Sequence, residues 1–353
     1  MDQVLQQFRD RIASASASGT ALRIRGSGTK DWYGQELNGE VLDTTVFSGI
    51  VAYDPTELVI TARAGTTLRE IGKALAEKKQ MLAFEPPRFD GLATIGGIVA
   101  SGLSGPRRQA VGSVRDFVLG TVLMDGKGEV LNFGGQVMKN VAGYDVSRLL
   151  TGSLGTLGLL LEVSVKVLPR PFAQHSLQFA MSQEEALHHL NIWGGQPLPL
   201  SASCWVNGHL YVRLSGAQAA VDAAIAKMGG TELPEAEAFW DSVREQEHAF
   251  FQAAPDGLWR LSVPTTATPL SLQGEQMIEW GGAQRWLKTS TDAATIRAAA
   301  TAAGGHATLH RGGDKTVGVF QPLAPAVARI HHNLKNTFDP AGVFNPRRMY
   351  TDF

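Results

Sequence analysis

Residues 93–116 read ATIGGIVASGLSGPRRQAVGSVRD. Five glycines stand there among small and hydroxyl-bearing residues, and a pair of arginines follows. Loops so poor in side chains leave backbone amides unpaired and turned inward, where together they solvate an anion. Three more segments of this character lie nearby: IRGSGTK (24–30), KNVAGYD (139–145) and GSLGTLGLL (152–160). Any one alone reads as a loop between strands. Clustered within residues 24–160, the four point to a nucleotide cofactor.

The side chains around these glycines suit a pyrophosphate. Ser27, Thr29, Thr94, Ser101, Ser104 and Ser113 add hydroxyl donors, and Lys30, Arg107, Arg108 and Arg115 add positive charge. The usual nucleotide signatures are absent. There is no GxxxxGK[ST], and no GxGxxG sits between a strand and a helix with an acid about 20 residues on.

Composition narrows the function further. At roughly 150 residues per domain, the 353 residues make about two domains. Lys and Arg total 32 against 33 Asp and Glu, a net charge of −1, which excludes coating nucleic acid or anionic membrane by bulk charge. Glycine, at 39 of 353 or about 11 per cent, exceeds the usual value of about 7 per cent, and 11 of the glycines stand in the four segments. Cys204 is the one cysteine, so an intrachain disulfide is impossible, as is a cysteine-ligated iron–sulfur cluster, which needs about four thiolates. No apolar run approaches the roughly 20 residues of a membrane span, and the N-terminus lacks an apolar signal core. A reducing, cytoplasmic setting is expected.

Periodicity predicts an α+β chain. Residues 1–19 read as a helix (Val4, Leu5, Phe8, Ile12) and a Ser/Ala-rich linker. Over 20–171, strands are expected at 22–25, 46–52, 58–64, 117–124, 129–133 and 159–168. Asp125-Gly126 is a hairpin turn, and Thr67 with Glu70 forms a capping box for a helix reaching Lys79. In the last of these strands Glu162, Ser164 and Lys166 alternate with valines, predicting one wet and one buried face. Residues 172–322 show the order strand–helix–strand–strand–helix–strand twice, ending in a strand at 317–320, which predicts two split βαβ units in a wide antiparallel sheet. Residues 323–353 hold a helix at 325–338 and a tail.

The ordered set IRGSGTK, VAYDPTELVITARAGTTLREI, ATIGGIVASGLSG, VGSVRDFVLG, KNVAGYD, GSLGTLG and FDPAGVFNP resembles FAD-linked oxidases of the vanillyl-alcohol-oxidase and p-cresol-methylhydroxylase type. It spans roughly residues 20–170 and the last 20, about half the chain. Within that family, the short length, the GPRRQAVGSVRD stretch and the brief middle region are similar to the small FAD-binding subunits of bacterial glycolate oxidases. The resemblance implies a two-part FAD-binding domain, an antiparallel cap domain and a C-terminal tail that returns to the first. It implies that Arg25, Gly26, Ser27, Gly28, Thr29 and Lys30 wrap the FAD pyrophosphate. Thr94, Ile95, Gly96, Gly97, Ala100, Ser101, Gly102, Ser104 and Gly105 would follow the pyrophosphate, ribityl chain and isoalloxazine, with Gly158, Leu159 and Leu160 on the adenine side. Tyr144 and Asp145 would support the domain, and Asn345-Pro346 would bring the tail back.

Departures from the family pattern matter too. IRGSGTK has no histidine and Cys204 lies outside the flavin motifs, so non-covalent FAD is expected. Leu154 replaces an acid common among relatives. No HGDGN-like run or paired metal histidines occur. HATLHR reads as a strand expected to splay His306 and His310 onto opposite faces, while His188-His189 and His331-His332 are adjacent pairs on helices, so no metal is expected.

A hydroxy-acid substrate needs a carboxylate clamp, a base and a hydride acceptor. Clamp candidates are Arg311, Arg347, Arg348, Arg107 and Arg108; the 311–315 run RGGDK is the most site-like of them, yet its composition reads more readily as a charged hairpin tip. No residue stands out as the base. Trp240, Phe250, Phe251, Trp259, Trp280 and Trp286 read as cap core or partner surface.

The resemblance implies an FAD-binding subunit of a multi-subunit glycolate oxidase, working with a larger FAD-binding catalytic subunit and an iron–sulfur subunit. Nucleic acid is not an expected partner, and any contact with the inner face of the membrane would run through a partner. Two other readings stay open: an assembly subunit without a catalytic flavin, and a stand-alone flavin oxidoreductase for an alcohol or sugar.

Overall fold

The computed structural model describes residues 2–135, 144–252 and 256–353. Residues 139–143 of the KNVAGYD segment therefore lie outside the described residues.

Two antiparallel sheets organise the chain. The first has five strands in the spatial order Ile50–Asp54, Val59–Arg63, Leu159–Lys166, Val118–Met124 and Val130–Gly134. Leu159–Lys166 is central, so the expected wet face is partly covered: Glu162 and Lys166 are half-buried, and Ser164 is buried and shares a 2.8 Å hydrogen bond with Thr61. One side of this sheet packs on Ile71, Leu75, Ile95, Ile98 and Phe84. The other meets Phe8, Ile12 and Ala15 of the helix Asp2–Ser18, together with Leu22, Leu42 and Phe344.

Local expectations here needed three corrections. The Ser/Ala linker is helical through Ser18, because Ala15 is buried in that second cluster and Ser16 Oγ donates to the Gly126 carbonyl at 3.1 Å. The strand expected at 46–52 starts at Ile50, since Asp43 Oδ1 takes the amide and hydroxyl of Thr45 and bends the chain just before Val46. An unexpected strand, Glu40–Asp43, pairs in parallel with Leu22–Arg25.

The second sheet has eight strands, in the order Thr231–Glu232, Ala173–Ala180, His209–Gly216, Leu200–Val206, Glu275–Glu279, Gln284–Lys288, Leu258–Ser262 and His306–Arg311. Each half runs fourth, first, third, second, the arrangement of a split βαβ unit, and the halves join through their second strands. The second unit lacks its first helix. Pro264 and Pro269 interrupt the segment between its first two strands, and Leu270 and Leu272 pack onto the core there instead. Its fourth strand is His306–Arg311, not 317–320. Asp314 caps a 3₁₀ turn at Lys315–Val317 and Gly318 has φ +82°, so only the Val319 carbonyl reaches back, to the amide of Leu309.

The outer face of this sheet is covered by Gln183–Gly194, Gln218–Met228 and Ala293–Ala302. The inner face carries Cys204, Leu258, Met277 and Trp286 under Trp240, Phe250 and Phe251. All six aromatics singled out above are buried, as core.

The tail closes the molecule. Lys335, on the helix Pro325–Phe338, donates to Asp339 Oδ2 (2.6 Å) and to the carbonyls of Thr156 (2.8 Å) and Phe344 (2.7 Å). Asn345 accepts the Ile24 amide at 2.8 Å and donates to the Leu154 carbonyl at 2.6 Å.

Candidate cofactor site

Where Leu22–Arg25 ends, the chain leaves its strand partner and turns over the helix Ile95–Ser101. Between them lies a groove with two arms. The outer arm, about 520 Å³, is lined by Arg25–Asp31, Thr94, Gly97, Ala100, Ser101, Leu154 and Arg348, among others. The inner arm, about 390 Å³, adds Thr44, Ala64, Gly96, Gly158 and Leu160. Ile24, Gly26, Gly97, Ala100, Leu154 and Asn345 belong to both, so the arms are continuous.

Glycine permits this geometry for distinct reasons. A Cβ on Gly26 would lie 2.5 Å from Thr94 Oγ1, and one on Gly96 would lie 2.6 Å from Ala64 Cβ and 2.9 Å from its carbonyl oxygen. These two let loop, helix and strand pack closely. Gly28 has φ +77°, with the Arg25 guanidinium, itself paired to Asp31 at 2.8 Å, filling the space a Cβ would need. Gly97 differs, since a side chain there would project into the groove, near Thr94 Oγ1 (3.1 Å) and Lys30 Cε (3.7 Å).

The donor set is that of an anion site. Among the described residues, the backbone amides of Gly26, Ser27, Gly28, Thr29 and Lys30 have no hydrogen-bond partner. Lys30 Nζ has one polar partner, Thr29 Oγ1 at 2.9 Å, and lies 5.5 Å from the Phe89 ring centre. Burial pulls its pKa down to about 8, against the raising effect of Asp31 and Glu245. Successive free amides beside a partly dried ammonium fit a diphosphate. The inner arm, walled by Ile24, Ala64, Leu154 and Leu160, fits a flat ring. The residues present therefore suit an FAD.

Most of the residues expected here line the groove: Arg25, Gly26, Ser27, Gly28, Thr29, Lys30, Thr94, Gly97, Ala100 and Ser101 in the outer arm, Gly96, Gly158 and Leu160 in the inner. Five lie off it. Ile95 and Leu159 point into the two cores. Gly102 ends its helix at φ +67°, Ser104 Oγ accepts the Val114 amide at 3.0 Å, and the Gly105 carbonyl accepts Trp280 Nε1 at 3.0 Å. Thr44, Ala64 and Arg348 were missed as groove residues. Only the arginine pair in NPRR carried a signal.

Tyr144 is 96 % exposed, and Asp145 caps the turn Val146–Leu149 by accepting the Arg148 amide.

The clamp candidates separate. The Arg348 guanidinium donates to the carbonyls of Gln35, Asp31 and Tyr33, which fixes the end of the glycine loop. Burial draws its pKa down to about 10. Arg107 is tied to Glu85 at 3.1 Å, beside Arg213 at 2.8 Å. Burial pushes the Glu85 carboxyl up, but Arg213 and Arg107 outweigh it and hold the group below its ordinary range. Arg311 lies over Trp32, 4.3 Å from the ring centre, and donates to Gln246 Oε1 at 2.8 Å, while Lys315 donates to the carbonyls of Trp32 and Gly34. The 311–315 run thus grips the 32–34 loop. Arg347 is exposed, and Arg108 lies over Trp280, 4.3 Å from the ring centre.

His306 and His310 do not splay apart, because an even offset in a strand keeps both side chains on one face. His306 is exposed at the strand's start, whereas His310 is buried between Trp32, Tyr33 and Trp286. Burial, then Arg260 and Arg311, lower the His310 pKa well below the ordinary imidazole value. Among the described residues, no group of three or more His, Cys, Asp or Glu could hold a metal ion, and no helix is long and apolar enough to cross a membrane.

A family model described as an FAD binding domain matches residues 5–134. The chain is 49 % identical over 347 residues to the glycolate oxidase subunit GlcE of Escherichia coli, covering 98 % of this chain and 97 % of that protein. It is 34 % identical over 155 residues to the glycolate oxidase subunit GlcD of Bacillus subtilis, covering 43 % of this chain and 33 % of that one. A crystal structure of p-cresol methylhydroxylase with substrate bound superposes with a TM-score of 0.73 at 14 % identity, covering 99 % of this chain and 88 % of the other.

Proposed function

This chain belongs to the family of FAD-linked oxidoreductases that includes the Escherichia coli GlcE subunit, and from that premise we propose that it is the FAD-binding subunit of a multi-subunit oxidase for a small 2-hydroxy acid, with glycolate as first candidate. The observation that carries this reading is the row of unpartnered amides from Gly26 to Lys30 along a groove floored by Gly97 and Ala100.

In this reading residues 20–171 are the FAD-binding domain, 172–322 the cap, and 323–353 the helix and tail that return to the first. The 26–30 amides and the Lys30 ammonium hold the diphosphate, and the inner arm around Ala64, Gly158 and Leu160 holds the adenine end. The ribityl chain and isoalloxazine would lie along Thr94, Gly97, Ala100 and Ser101. With no histidine in the loop, no covalent tether forms. Bound FAD supplies a two-electron acceptor for oxidation of the 2-hydroxy acid to the 2-oxo acid.

The family resemblance points to a partner bearing iron–sulfur clusters for onward transfer, in keeping with a chain whose one cysteine cannot supply the roughly four thiolates of a cluster. A larger flavoprotein subunit completes the complex, which works in the cytoplasm and reaches a membrane only through its partners.

Purification of the full chain tests the reading. Flavin absorbance released by acid precipitation is the expected result, with dye-linked glycolate oxidation appearing when partner subunits are added. A colourless protein that takes up no added FAD overturns it.

A further inference from the structure

A cleft of about 1300 Å³, open to solvent, lies between the helix Leu68–Glu77 and the helix Ala236–Glu245, at the seam with the cap sheet. It shares no lining residue with either arm of the cofactor groove. Its charges do not balance. Arg88, Arg107, Arg170, Arg213 and Arg244 line it against Glu85, Glu237 and Asp241, in a chain whose net charge is −1.

Two of these arginines converge on one carboxylate. Glu85 Oε1 lies 3.1 Å from Arg107 Nε and 2.8 Å from Arg213 Nη2, so the two guanidiniums meet at a single oxygen. Their side chains are 7 % and 5 % exposed, and among the described residues Glu85 is the one acid within 4.0 Å of either. One negative charge thus faces two positive ones with little water at hand. Arg107 Nη2 is occupied by Gln174 and Ser215, and Arg213 Nε by Ser201. Nη1 of each has no acceptor among the described residues. Arg244 keeps a buried Nη2 that likewise meets none. Burial lowers the Arg213 pKa; Glu85 opposes this, and Arg107 and Arg244 add to the lowering. Buried cations in excess of their counter-charge favour an incoming anion, and planar guanidinium donors match a carboxylate.

Much of the remaining lining is apolar. Leu68, Leu75, Leu82 and Trp240 contribute, with Arg213 held 5.2 Å from the Trp240 ring centre. Gly72 also lines the cleft, on the same helix face as Leu68 and Leu75. A Cβ built on Gly72 would meet nothing within 4 Å. Glycine inside a helix is less stable than alanine by up to about 1 kcal/mol, and here its bareness keeps the cleft open.

We propose that this cleft is a second ligand site, for a small organic acid with an apolar body. The carboxylate sits on the free Nη1 donors of Arg107 and Arg213, and the body lies along Leu68, Leu75 and Trp240, over Gly72. Because the lining comes from both sides of the seam, the occupant ties the cap to the helix Leu68–Glu77.

Calorimetric titration of the full chain, as purified, tests this. Phenylacetate and octanoate serve as the acids, phenylacetamide as the neutral twin of the first, and acetate as the acid without a body. Both larger acids should bind at one site per chain, with phenylacetamide and acetate at least about tenfold weaker. Gly72→Leu should weaken both acids by about tenfold or more, without a lower melting temperature, since leucine is the better helix former and meets open space. Arg107→Met should weaken phenylacetate by a similar factor and leave phenylacetamide unchanged. A wild type that binds neither acid overturns the proposal. So does acid affinity unchanged in Gly72→Leu, or equal affinity for phenylacetate and its amide. Should Arg107→Met fail to fold, those two comparisons still decide. Flavin content in Gly72→Leu should match the wild type; flavin lost together with acid binding would move the acid to the groove and overturn a second site.

Discussion

The glycine groove and the seam beneath the cap sheet solve opposite problems. In the groove, backbone donors from Gly26 to Lys30 are left unsatisfied, and Arg348 and Thr94 hold the surrounding loop in place without entering it as partners for those amides. At the seam long charged side chains are paired with one another and with backbone across the joint. Glu85 takes two arginines and the Arg107 amide, and Glu245 takes the amides of Arg88 and Phe89. An open site can be made of backbone when the packing behind it is rigid. A joint between two sheets needs long side chains whose partners come from far along the chain.

The sharpest way to break this contrast is at Glu85. Glu85→Gln leaves Arg107 and Arg213 buried without a counter-charge, which costs about 3–5 kcal/mol. Denaturant unfolding should show that loss at neutral pH. Because the folded carboxyl titrates below its ordinary range, its contribution is full above that range and disappears as pH falls through the folded value. The wild type should therefore converge on the variant in acid. A variant equally stable at neutral pH would mean that the seam does not depend on this triad.

The groove should respond differently to an added side chain. Gly96→Val meets Ala64 backbone and Cβ, neither of which can step aside, so overpacking should cost roughly 1–3 kcal/mol. The helix must shift away from the strand, and flavin content should fall with it. Gly97→Val projects into the groove instead, so it should reduce flavin content while leaving the melting temperature near that of the wild type. Equal melting losses in the two variants would erase the distinction between packing glycines and lining glycines.

The same contrast explains what was legible in the sequence. The N-cap at Thr67, which lacks the return bond from Glu70 that a capping box needs, the hairpin at Asp125 and the helix Pro325–Phe338 are local, and their boundaries were read within a few residues. So were the groove glycines, because an amide-lined loop announces itself by lacking side chains. Leu159–Lys166 was misread at Ser164 because its second neighbour is about forty residues away, and alternation cannot reveal a strand covered on both faces. Thr44 and Ala64 enter the groove only because strands bring them there. Arg260 carried no signal at all: its hydrogen-bond partner Tyr33 lies far from it along the chain.

The smallest effect expected is also the most specific to the groove. Lys30, with its pKa near 8, is part ammonium and part amine just above neutrality. A diphosphate beside it favours the ammonium, so binding must restore the missing proton once the free protein has lost it. Affinity for FAD should therefore be level below about pH 8 and fall by up to tenfold per pH unit above it. The decline ends where the bound form also deprotonates. Lys30→Met should bind FAD more weakly below the break and show no break, so the two proteins should converge as pH rises. Fluorescence titration of the apoprotein with FAD across that range measures both curves. A break that survives in the variant would assign the titration to another group and remove Lys30 from the diphosphate's side of the groove.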